Sequence, residues 1–188
     1  MYNNKYCEYG IEELKYLPDN YNIVMDGAQF WLLAIKVLSE PGNITVPKDI
    51  VDIIDCFRSH DEKTNTITIS KKNILTLYNF KKIENVNIVS NENINICADI
   101  KKGIVAYLVE ITNNNNALLN DALLRARSIN SLDSLHGFIT FIKGDNIPRN
   151  VKSALASYAK ICLKEFQNNM DQELYKEMDN KISKLIIR

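Results

Sequence analysis

Asn65-Thr66-Ile67-Thr68-Ile69-Ser70 is where the chain changes texture. Upstream, apolar residues recur at helical steps; here they alternate with threonine, the period of a strand with one face covered and one face wet. The same alternation is read at Ile74-Leu75-Thr76-Leu77-Tyr78, Asn85-Val86-Asn87-Ile88-Val89, Asn93-Ile94-Asn95-Ile96-Cys97 and Ile104-Val105-Ala106-Tyr107-Leu108-Val109. Up to five short strands at this spacing predict an antiparallel meander. Asn-rich strands specify their register weakly, so not every turn between them is placed.

Helical signals flank this region. Ile11, Leu14 and Leu17 make a short helix that stops at Pro18. Asp26 caps Ala28-Gln29-Phe30-Trp31-Leu32-Leu33-Ala34-Ile35-Lys36-Val37-Leu38, apolar nearly all the way round, as expected of a helix buried on several sides. Glu40-Pro41-Gly42-Asn43 breaks it. Pro47 then opens a helix through about His60, with Ile50, Ile53, Ile54 and Phe57 toward the core. Beyond the strands, Ala117 to Ile129 returns to helical spacing, and Ser131 caps Leu132 to Lys143, closed by Gly144. Within that segment Phe138-Ile139-Thr140-Phe141-Ile142 reads equally as helix or strand.

Asp145 to Arg188 is read as one long amphipathic helix. Val151, Leu155, Tyr158, Cys162 and Phe166 form a first stripe; Leu174, Met178, Ile182 and Leu185 form a second, with polar Gln167-Asn168-Asn169 between them. The fold class that follows is α+β: buried N-terminal helices, a central antiparallel β-meander and a C-terminal helical layer. The whole chain, residues 1–188, is read as a single domain, with residues 167–188 a candidate projecting extension.

Composition narrows the function classes. Lysine plus arginine and aspartate plus glutamate number 23 each, so no net field recruits nucleic acid or an acidic membrane. Asn and Ile together make up roughly a quarter of the residues, the mark of an A/T-rich gene. Cys7, Cys56, Cys97 and Cys162 never form C-x-x-C. With no apolar N-terminal run or membrane-length segment, they read as free thiols of a soluble cytoplasmic protein.

Several constellations invite a chemical reading. Asp52, Cys56 and His60 recur every four residues along one helix edge and are ligand types a transition metal accepts, but no fourth ligand lies nearby. His60 and His136 are the histidines available to a cysteine nucleophile, yet no cysteine or serine sits in a nucleophile-turn context. The paired carboxylates fall on predicted surfaces, and the six glycines form no phosphate cradle. Paired lysines at Lys71-Lys72, Lys81-Lys82 and Lys101-Lys102 can make a basic patch for phosphates or nucleic acid, with Tyr78 and Phe80 for stacking; they serve equally to keep sheet ends soluble. Two helices followed by strands have the order of a winged helix. However, Asp49, Asp52 and Asp55 give its candidate recognition helix the wrong sign.

No catalytic or cofactor signature stands above its structural alternative. The expectation is a non-enzymatic, cofactor-free binding or regulatory protein of effector, immunity, chaperone-like or viral accessory type. Its partner would be another protein or a second copy, met through Leu174, Met178, Ile182 and Leu185 in helix-in-groove fashion. Nucleic-acid binding by the lysines, and an enzyme with an unrecognised Cys/His site, are the alternatives.

Overall fold

A computed structural model of the chain describes residues 6–39, 45–58, 65–81, 85–89, 95–113, 116–144 and 146–186. The chain is α+β, with an antiparallel sheet whose strands alternate with helices in the first part of the chain and, among the described residues, helices alone beyond it. It divides into two compact units, Met1–Asn95 and Ile96–Arg188.

The first unit contains β1 (Tyr6–Gly10), α1 (Ile11–Leu14), β2 (Asn22–Asp26), α2 (Gly27–Leu38), α3 (Lys48–Asp55), β3 (Thr66–Ser70), α4 (Lys71–Lys81) and β4 (Asn85–Val89). Its sheet has the order β1-β4-β2-β3, every neighbouring pair antiparallel. Ile23 lies opposite Ile69, Met25 opposite both Ile67 and Ile88, and Tyr9 opposite Val86. All seven are buried. Glu8 and Thr68, on the alternate positions, are exposed. The alternation at residues 66–69 therefore sets a covered face and a wet one, as read from the sequence, and Val86 and Ile88 of β4 join the covered face, although Val89 is buried as well.

Other assignments within the sheet differ. Ile74 to Tyr78 lies inside α4, where Ile74, Leu77 and Tyr78 are buried at helical steps. Ser70 starts that helix by accepting a hydrogen bond from the Asn73 N–H at 3.2 Å. Because β3 and β4 both run antiparallel to β2, which lies between them, the chain must cross over, and α4 makes that crossing. The sheet is consequently not a meander. Its remaining strands, β1 and β2, come from Tyr6–Gly10 and Asn22–Asp26, short runs passed over beside stronger helical signals.

The second unit is helical among its described residues: α5 (Ile96–Thr112), α6 (Asn116–Arg127), α7 (Leu132–Ile142), α8 (Arg149–Phe166), a 3-10 turn (Gln167–Asn169) and α9 (Gln172–Ser183). Ile104 to Val109 is helical because Ile100, Ile104 and Leu108 recur every four residues, and each is fully buried. Asn113, at φ 43°, occupies the left-handed position that ends α5. Phe138 to Ile142 falls in α7, whose Ser131 cap accepts from the Ser134 N–H at 3.2 Å.

α8 is the hub, packing against α5, α6, α7 and α9. Ser153, Ala154, Ala156, Ser157 and Ala159 leave room for close approach on several sides, and all are buried. The stretch read as one helix is two. Gln167-Asn168-Asn169 tightens into a 3-10 turn, Met170 is extended, and Asp171 starts α9 by accepting from the Glu173 N–H at 2.8 Å. Weak helix formers followed by a strong N-cap make the break. α9 then packs along α8, with Lys160 Nζ 3.8 Å from Asp179 Oδ1 and 3.5 Å from Ser183 Oγ.

Candidate protein-binding surface

In the second unit, Met178 and Ile182 are fully buried, while Leu174 and Leu185 are half-buried. The centre of the α9 stripe is thus occupied within the unit. A partner can reach only its two ends without first prising α9 away.

The lysines divide. Lys71 is buried, and its ammonium donates to Leu17 O at 3.0 Å, Asp19 Oδ1 at 3.1 Å and Lys15 O at 3.5 Å. It ties the turn that follows α1 to the start of α4, and its donors are directed into the fold. Lys101 pairs with Glu165 and stands 5.6 Å from the Tyr158 ring centroid. Lys72 and Lys102 are exposed, in different units. Lys81 ends α4, and Lys82 lies outside the described residues.

The metal candidates are likewise scattered in quality. Asp52 and Cys56 are exposed on and just after α3, which ends at Asp55, and His60 lies outside the described residues. Among the described residues no group of three or more His, Cys, Asp or Glu is arranged to hold an ion.

Lys101, Tyr158, Cys162 and Glu165 form a cluster of titratable groups where α5 packs on α8. Burial pushes the Cys162 thiol up to about 12; hydrogen bonding and charge from Lys101 only partly offset this, while Glu165 and Cys97 add to it. Burial lowers the Lys101 pKa, but the Glu165 hydrogen bond and the acidic groups Cys162, Glu165 and Tyr158 beside it outweigh that, so the net shift is upward. Burial, then Cys162, also raises Tyr158. A thiol held protonated is a poor nucleophile. The cluster's chemistry is that of a satisfied helix contact. On alkylation with iodoacetamide at mildly alkaline pH, of Cys56, Cys97 and Cys162 the exposed Cys56 is expected to label first and the buried Cys162 last, as read by peptide mass mapping; early labelling of Cys162 would contradict this account. His136, the other candidate base, is exposed on α7.

The feature that stands out is on α2. Phe30, Leu33, Ala34 and Val37 are buried, and Phe30 meets Phe57 edge-on at 4.9 Å. The opposite side is apolar too. Leu32 is 56% exposed, Ile35 59% and Leu38 42%, and half-buried Trp31, one turn before Ile35, borders them. The expectation that this helix is buried on several sides is therefore corrected: one side is covered and one is open. In the local sequence only Gln29 and Lys36, both exposed, mark the open side, because large apolar residues occur on both sides.

Comparison with protein-family models, with curated proteins and with solved structures returned no match.

Proposed function

We propose that the protein acts without catalysis, as a binding or regulatory protein that meets another protein through the open side of α2. The observation that carries this is the exposure of Leu32, Ile35 and Leu38 along one helical stripe. Scattered single hydrophobics are ordinary on a surface, but three large aliphatic side chains on one helix side form a patch. Covering each of them would return roughly 1 kcal/mol, half of what full burial of such a side chain yields. An apolar helix side with few charges is also the chemistry of helix-in-groove recognition. The half-buried ends of the α9 stripe, Leu174 and Leu185, are a second and smaller candidate contact. The free thiols of Cys56, Cys97 and Cys162 support a reducing, cytoplasmic setting as part of the same proposal. Among the described residues no helix is long and apolar enough to cross a membrane.

The test is the double variant Leu32→Asp/Ile35→Asp. Both positions are exposed, so its thermal midpoint should stay near the wild-type value, while proteins co-purifying with the wild type from the native source should be lost. An identical set captured by both proteins would sink the reading.

A further inference from the structure

β3 ends the sheet, and its hydrogen-bonding direction can be worked out. Lys71 N donates to Tyr21 O at 2.7 Å and Gly27 N to Asn65 O at 3.1 Å, which bracket the β2–β3 ladder. Hydrogen-bonding direction alternates along a strand, so residues 65, 67, 69 and 71 address β2. Thr66, Thr68 and Ser70 direct their backbone N–H and C=O groups outward. Among its described residues that edge carries no charge, proline or bulge. Proteins blunt open edges with charge, proline or a bulge. β1, the opposite edge, carries exposed Glu8 and ends in Gly10, whereas β3 is Thr-Ile-Thr-Ile-Ser, uncharged and regular over its whole length.

The β3 edge is also complementary to itself. Turning a second copy about a two-fold axis through Thr68 sets Thr68 against Thr68 of that copy, Thr66 against its Ser70, and Ile67 against its Ile69. Thr68 then faces Thr68 in a hydrogen-bonded pair able to exchange both bonds, while in each Thr66–Ser70 pair the Ser70 C=O already serves the first turn of α4. The hydroxyl side chains meet on the wet face, a favourable cross-strand pairing, and the isoleucines continue the covered face. A five-residue edge pairing falls well short of the roughly 800 Å² per partner of a stable interface.

We infer that the protein pairs with a second copy of itself, β3 to β3 in antiparallel register about Thr68, joining two sheets into one. The inference goes beyond the proposed binding role of α2 and stands apart from it. An isologous contact of this kind closes on itself, so it yields dimers and not fibres. At this size it is a concentration-dependent contact.

Sedimentation of the full chain across a wide concentration range should show mass rising from one copy to two. Thr68→Pro removes one outward N–H while leaving the β2 ladder intact, and should weaken the dimer by at least about tenfold. Thr68→Lys, which places like charges at the axis, should act in the same direction and guards against a folding defect in the proline variant; circular dichroism checks both. In a Cys56→Ser background, Thr68→Cys should form a covalent dimer on mild oxidation, because hydrogen-bonded antiparallel pairs lie about 5.5 Å apart at Cα, within disulfide reach. Lys72→Cys in that background should not. A chain that stays single at every concentration, or a dimer indifferent to folded Thr68 variants with no cross-link at that position, overturns the inference. Leu32→Asp/Ile35→Asp leaves β3 untouched and should not alter the rise in mass, so a loss of capture by that variant bears on the binding role of α2 alone.

Discussion

Met178→Ala and Ile182→Ala are each expected to lower stability by about 2–5 kcal/mol, the range for truncating a fully buried aliphatic side chain. Both side chains are completely covered on α9, which packs on the α8 hub, so each truncation removes apolar burial and leaves a void. Leu174 and Leu185 are half-buried, and their truncation should cost less, roughly 1 kcal/mol, in proportion to the area lost. Urea unfolding followed by ellipticity, with hydrogen exchange of the α9 amides to locate the loss, reads both effects. A stripe that instead served only a partner would give variants of wild-type stability and impaired association. Stability losses below about 1 kcal/mol at both buried positions would favour that assignment over the packing seen here.

Lys71→Met carries the second large effect. Methionine preserves most of the aliphatic stem but offers no donor, leaving Leu17 O and Asp19 without their short contacts and Lys15 O without its longer one. Asp19 is largely exposed, so its share of the ion pair is screened and small. The carbonyl contacts dominate. Removing a charged donor from a buried acceptor costs about 1.5–3 kcal/mol, and the variant should be destabilised by that amount. Lys72→Ala, one residue on and exposed, should fall within about 0.5 kcal/mol of wild type. If Lys71 served phosphate binding instead, its loss would leave the melt unchanged and reduce the salt-dependent retention of nucleic acid.

Elements whose signal is local were legible. Asp26 capping α2, Ser131 capping α7, the Thr–Ile alternation of β3 and the Asn–Val–Asn–Ile–Val alternation of β4 all depend on neighbours a few residues away. Misreadings arose where a short apolar run fits two periods. Ile74 to Tyr78 and Ile104 to Val109 look like strands because their apolar residues are dense. Ser70 capping Asn73, and Ile100, Ile104 and Leu108 in steps of four, were the available signals that they are helical. The two lysines at positions 71 and 72 are indistinguishable by type, yet one is buried among carbonyls and the other is in water.

What the amino-acid sequence determined by itself is the class of fold, the caps and the alternation that gives the sheet a covered face, since those follow from periodicity and side-chain–backbone hydrogen bonds within a few residues. Only the tertiary structure decided the strand order, the return of α9 onto α8, the inward commitment of Lys71 and the open side of α2. Each of these depends on which distant surface arrives to cover a group. A helix apolar on every side states that much of it can be buried, and only the packing shows where the covering stops.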